Sequence, residues 1–140
     1  MIQSNAPFKN KIAATSAGFW VQKDLFQKVG GFDHKQTVDE DTDLCCRLLA
    51  IGENPYYMKF PGIKLNRDDN IDRLTSSTKT RMIAECYKRT FDKNIYKLTH
   101  NVQALEYLSD QTHRVICKAY DTKLLQELRS SKFSLKLRII

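Results

Sequence analysis

Residues 30–52 read GGFDHKQTVDEDTDLCCRLLAIG, and in them four carboxylates, Asp39, Glu40, Asp41 and Asp43, fall within five positions and lead straight into an apolar helical spacing. Leu44, Leu48 and Ile51 recur at intervals of four and three, which defines one face of a helix that Gly52 closes. Thr37 and Glu40 have the Thr-x-x-Glu form of a capping box, so the helix is predicted to begin near Thr37 or Asp39. Acids suit that place, because the first turn presents unsatisfied N–H groups and the positive end of the helix dipole, each acid contributing about 0.3–1 kcal/mol. Four are more than the dipole requires, since like charges this close repel one another and return part of the gain.

The charge elsewhere does not account for the cluster. The 140-residue chain carries net charge +7, yet residues 1–60 balance at zero while residues 111–140 hold seven Lys and Arg against two acids. The basic character therefore belongs to the tail, which is suited to an anionic lipid surface or nucleic acid and is equally the solvated face of a helix. A length of 140 residues is one ordinary domain, and no uncharged apolar run is long enough to span a bilayer. The first twenty residues lack the continuous apolar stretch of a secretory signal, so a cytoplasmic location is expected. Cys45, Cys46, Cys86 and Cys117 show no CxxC spacing and read as buried apolar residues rather than a zinc site or a disulfide framework.

Along the chain, Ile12 to Thr15 reads as a short strand ending in the small-residue break Ser16-Ala17-Gly18. Leu25, Phe26 and Val29 predict a short helix over residues 23–29, stopped by Gly30-Gly31, with Phe32 packing back as a loop anchor. The aromatic, Pro-bounded stretch after Gly52 suggests a strand from Tyr56 to Phe60 and a second from Ile63 to Leu65. A polar loop follows. Helical spacing resumes from about Ser77 to Phe91, with Met82, Ile83, Cys86 and Tyr87 as the inner stripe. One or two more helices cover Val102 to Leu128, and the last residues alternate apolar and basic without a clear stop.

Two chemical uses of the acidic cluster can be weighed on residue types. A calcium loop starting at Asp39 would need Gly at its sixth position and a bidentate Glu at its twelfth, where this chain has Leu44 and Ala50. The other use is a general base at a helix start, where backbone donors and the dipole would hold a carboxylate ionised.

Residues 17–52, AGFWVQKDLFQKVGGFDHKQTVDEDTDLCCRLLAIG, resemble the acceptor-side half of inverting GT-A glycosyltransferases of the large family-2 group. The features that carry the likeness are Ala17-Gly18, the short helix ending at Val29, Gly30-Gly31-Phe32-Asp33, Glu40-Asp41-Thr42-Asp43-Leu44, Arg47 and Gly52, and they cover about a quarter of the chain. The resemblance implies an α/β fold: a partial GT-A-like unit of two or three short strands plus helices over residues 1–76, with a helical C-terminal extension over 77–140 packed on it. It implies that Asp41 is the base that deprotonates an acceptor hydroxyl as it attacks the anomeric carbon of a nucleotide-sugar, with Glu40 as its acidic partner. Gly18 and Ala17 would form the turn that lets backbone lie near the sugar, and Trp20 would stack on a sugar face, although an aromatic pair after a strand is more often part of the core.

The resemblance also implies a divalent metal, Mn or Mg, for the complete enzyme. Its Asp-x-Asp motif belongs to a nucleotide-binding half that the first twelve residues cannot contain, so the chain is expected to be the C-terminal portion of a larger enzyme and inactive alone. Members often place a His after the strand corresponding to Tyr56–Leu65; this chain offers Asn66, Arg67 and Asp68, of which Arg67 suits a diphosphate. The implied partners are a nucleotide-sugar donor and a glycan or lipid-linked acceptor, with peripheral membrane contact through the basic tail. An exposed sheet edge would further favour self-association. The competing expectation, from a different class, is a basic helical module over residues 78–140 that docks on anionic membrane or nucleic acid, with the acids serving only as a cap.

Overall fold

The computed structural model describes residues 2–3, 18–58 and 79–139. Over these the chain is built of helices: α1 (Lys23–Lys28), α2 (Glu40–Ala50), α3 (Thr80–Asn94), α4 (Val102–Lys118) and α5 (Thr122–Ile139). The strands described are β1 (Ile2–Gln3) and β2 (Tyr57–Met58), a single antiparallel pairing with Ile2 opposite Met58 and Gln3 opposite Tyr57. The fold is therefore mostly helical, which overturns the expected α/β, GT-A-like unit. A pairing two residues long supplies no sheet face against which helices can pack, so the core is made between helices instead. The strand expected from Tyr56 to Phe60 is realised only at Tyr57–Met58, while those expected at Ile12–Thr15 and Ile63–Leu65 lie outside the described residues.

Both N-terminal helices end as their glycines require. At the end of α1 the Gly30 N–H donates to the Gln27 carbonyl and the Gly31 N–H to the Phe26 carbonyl, the paired bonds of a Schellman motif. Gly31 sits at φ 65°, and a Cβ there would lie 3.0 Å from the Phe26 ring, which itself meets Phe32 edge-on at 5.3 Å. Replacing Gly31 by Ala adds left-handed backbone strain to that clash, and Gly31→Ala should lower stability by about 1–2 kcal/mol in chemical denaturation. The same two bonds close α2, from Gly52 to Leu49 and from Glu53 to Leu48.

The start of α2 differs from the capping-box expectation. Helix α2 begins at Glu40 with Asp39 at the cap position in left-handed backbone, φ 67°, and Thr37 is exposed ahead of it. Leu44 and Leu48 are buried as expected, but Ile51 is exposed.

Helix α3 is central, and this corrects its predicted inner stripe. Met82 is exposed and Ile83 and Tyr87 are half-buried, whereas Ala84, Cys86, Lys88, Thr90, Phe91 and Asn94 are buried. A helix at the surface buries one stripe; α3 packs against α2, α4 and α5 and so buries more than one. Ala84 and Phe91 join the core cluster with Cys46 and Leu49 of α2, Leu108 and Ile116 of α4 and Leu128 of α5. Cys86, Thr90 and Asn94, one turn apart, face the α2 side, where Gln36 and Asp43 bond to them. Cys45, Cys46 and Cys86 are buried as expected; Cys117 is exposed. Helix α5 continues past Leu128 to Ile139. Among the described residues no helix is long and apolar enough to cross a membrane.

Candidate functional site at the start of α2

The four acids have four different environments. Asp43 is wholly buried and anchors the local fold: one carboxylate oxygen accepts from Arg47 Nε at 2.9 Å, and the other lies 2.8 Å from Lys93 Nζ and accepts from Asn94 Nδ2 at 3.0 Å. The Arg47 guanidinium also donates to the Val29 carbonyl, so one side chain ties the C-terminal end of α1 to the first turns of α2. Lys93 bridges to Asp33 at 2.8 Å, and Asp33 accepts the Lys35 N–H as well. The Lys93 hydrogen bond, seconded by that backbone donor, lowers the Asp33 pKa to about 2. Gln36 completes the seam by donating to the Thr90 hydroxyl and the Cys86 carbonyl.

Asp41, in the first turn of α2, has no such role. It is buried to 8% exposure, accepts the Thr42 N–H at 2.8 Å, and pairs with no Lys or Arg among the described residues. Burial raises its pKa above the ordinary carboxylate value; the backbone donor works the other way and the neighbouring Glu40 adds to the rise. The expectation that donors and dipole would hold this carboxylate ionised is thus reversed in sign, because desolvation outweighs them. Asp41 is a stronger base than a free carboxylate, which is what proton abstraction requires. Glu40 beside it is half-buried. Asp39 is buried with neither carboxylate oxygen in a well-formed hydrogen bond, although the Thr90 and Thr42 hydroxyls lie near enough to offset part of its desolvation.

Gly18 is exposed with φ 104°, a conformation that suits glycine, and Trp20 is 87% exposed, which corrects any core role for that ring. Ala17 and Arg67 lie outside the described residues. Lys93, Asn94, Gln36 and Thr90 escaped sequence reasoning; the turn-by-turn spacing of Cys86, Thr90 and Asn94 was the available signal, and it reads as a polar face until α2 is known to cover it.

Among the described residues no three His, Cys, Asp or Glu converge as a metal-ligand set, and the carboxylate most favourably placed by its burial, Asp43, has its oxygens committed to Arg47, Lys93 and Asn94. These residues therefore do not fit the divalent cation that the resemblance implies. An open cleft of about 540 Å³ is lined by Glu85, Lys88, Arg89, Asp92, Lys93 and Leu124. Its cations are already engaged: Lys88 with Asp92 at 2.6 Å, Lys93 with Asp33 and Asp43, and Arg89 with the Lys35 carbonyl. Comparison of the chain with family models, with curated proteins and with solved structures produced no match.

Proposed function

We propose that residues 17–52 supply the acceptor-side base of an inverting sugar transfer, with Asp41 removing the proton from the acceptor hydroxyl and Glu40 beside it. The observation that carries this reading is a division of labour inside the motif. Gly31, Asp33, Asp43 and Arg47 each have a structural task in holding α1, α2 and α3 together, while Asp41 meets no cation among the described residues, half a turn from the anchor, with its basicity raised by burial. In a single displacement the base acts on the acceptor, and the departing nucleoside diphosphate is stabilised separately. On this reading the donor site, with any divalent metal, belongs to sequence outside these 140 residues. The acceptor is a glycan or lipid-linked hydroxyl met in the cytoplasm, with the basic tail against an anionic membrane face.

The test is transfer from a panel of nucleotide-sugars by a preparation that carries the donor-binding portion, comparing wild type with Asp41→Asn. Loss of transfer with donor binding retained supports the reading, and transfer at an unchanged rate overturns it. The reading as a basic docking module draws less support, since Arg81, Lys88, Arg89 and Lys93 are engaged within the fold. It predicts steeply salt-dependent adsorption to anionic vesicles.

A further inference from the structure

We propose that Asp39 is a proton-operated latch: its carboxyl, enclosed without a well-formed hydrogen bond where the start of α2 meets α3, packs as the neutral acid, and its ionisation loosens that junction. The reaction assigned to Asp41 plays no part in this, so the two stand or fall separately.

The backbone shows that the side chain has been turned away from its usual work. An Asp at a helix cap ordinarily accepts an N–H of the first turn; Asp39 makes no such bond and instead adopts φ 67°, a conformation that Asp tolerates better than most residues. That rotation leaves the residue 7% exposed, with both oxygens shut off from solvent and in no well-formed hydrogen bond among the described residues, the Thr90 and Thr42 hydroxyls lying nearby. Around it lie Asp41, Asp43 and the Cys46 thiol on its own segment, the Thr90 hydroxyl and the Tyr87 phenol on α3, and the Tyr107 phenol on α4. Among the described cations of this junction, Arg47 and Lys93 are bonded to Asp43, and Arg89 to the Lys35 carbonyl and Gln36. A charge on Asp39 therefore adds to two others and sits among groups that resist ionisation themselves: burial raises the pKa of Cys46, Tyr87 and Tyr107, with Asp39 contributing to each.

Desolvation, helped by Asp41 and Asp43 and opposed by the Thr90 and Thr42 hydroxyls, raises Asp39 from 3.8 to about 7. Between those values the folded chain holds a proton that the unfolded chain has released. The contribution to stability is therefore complete below about pH 4, declines as pH rises, and is lost above about pH 7. This is opposite to the usual acid lability of a paired carboxylate, and it places a change in the junction carrying Asp41 within the physiological range.

The experiment is thermal unfolding of the full chain from pH 5.5 to 8.5, wild type against Asp39→Asn, which keeps the shape and the tolerance of φ above zero and removes the charge. Between pH 6 and pH 8 the wild type should lose about 5 °C more in Tm than the variant, and the variant should be the more stable of the two at pH 8. Parallel curves, or a variant equally destabilised at every pH, would overturn the proposal. Should Asp39→Asn fail to fold, the 13Cγ shift of Asp39 in the wild type decides: a titration midpoint between 6 and 8 sustains the latch, and one below 5 refutes it.

Discussion

Asp43→Ala should lower the stability of the chain by about 3 kcal/mol, with a fall in Tm of about 10 °C. The carboxylate is wholly buried, and its removal leaves Arg47, Lys93 and Asn94 without their common acceptor. Breaking a buried ion pair from one side typically costs 3–5 kcal/mol, because the remaining charge is stranded. The lower end applies here: the Arg47 and Lys93 side chains are 14% and 27% exposed, Arg47 keeps the Val29 carbonyl and Lys93 keeps Asp33. Asp43→Asn should rescue only in part, since it keeps one acceptor oxygen but loses the charge that Arg47 and Lys93 pair with and turns N–H donors toward one of these two donor-only groups. Urea denaturation of the three proteins measures both effects, and an Asp43→Ala midpoint within error of wild type would show that the seam between α1, α2 and α3 does not depend on this anchor.

Asp41→Asn should do the reverse, leaving the fold intact while reducing sugar transfer by about 10²–10⁴-fold, the usual worth of a positioned general base. The asparagine oxygen can still accept the Thr42 N–H, no cation partner among the described residues is lost, and the charged form was already disfavoured by burial. The unfolding midpoint at pH 7 should accordingly stay level or rise. For the wild-type reaction, transfer should fall as pH drops through the raised pKa of Asp41, because only the ionised carboxylate takes the proton. On the proposed reading the pair of variants should separate two roles for acids two residues apart, with stability following Asp43 and turnover following Asp41. A loss of stability in Asp41→Asn as large as in Asp43→Ala would remove that distinction and with it the reason for assigning the base to Asp41.

Local punctuation was legible because its causes are local. Gly30-Gly31 and Gly52 end helices through left-handed backbone, and the glycines at those positions announce it. The course of α1, most of α2, the helix from Thr80 and helical structure over Val102 to Leu128 follow from spacing for the same reason, whereas the division of that last stretch into α4 and α5 and the run of α5 to Ile139 do not. The capping box failed because a competing use of the backbone won: Asp39, not Thr37, occupies the cap and turns its side chain inward. The α/β reading came from short aromatic and β-branched stretches whose strand preference is realised only where a partner strand exists, and the described pairing is two residues long. The single inner stripe assigned to α3 assumed a helix with one covered face.

What the amino-acid order determined by itself is the helical character of α1, α2 and the C-terminal half, the glycine stops of the first two helices, and the presence of more acids at the start of α2 than a helix dipole can use. Which acid does what was decided only by the tertiary structure. Carboxylates two residues apart are nearly alike in covalent surroundings and differ in what the fold brings to them from about fifty residues away: Lys93 and Asn94 to Asp43, Thr90 to Asp39 and, among the described residues, no cation to Asp41. Charge, burial and hydrogen bonding are properties of neighbours in space, so the anchoring role of Asp43, and the different surroundings on which the proposals for Asp39 and Asp41 rest, emerge only once α3 lies against α2.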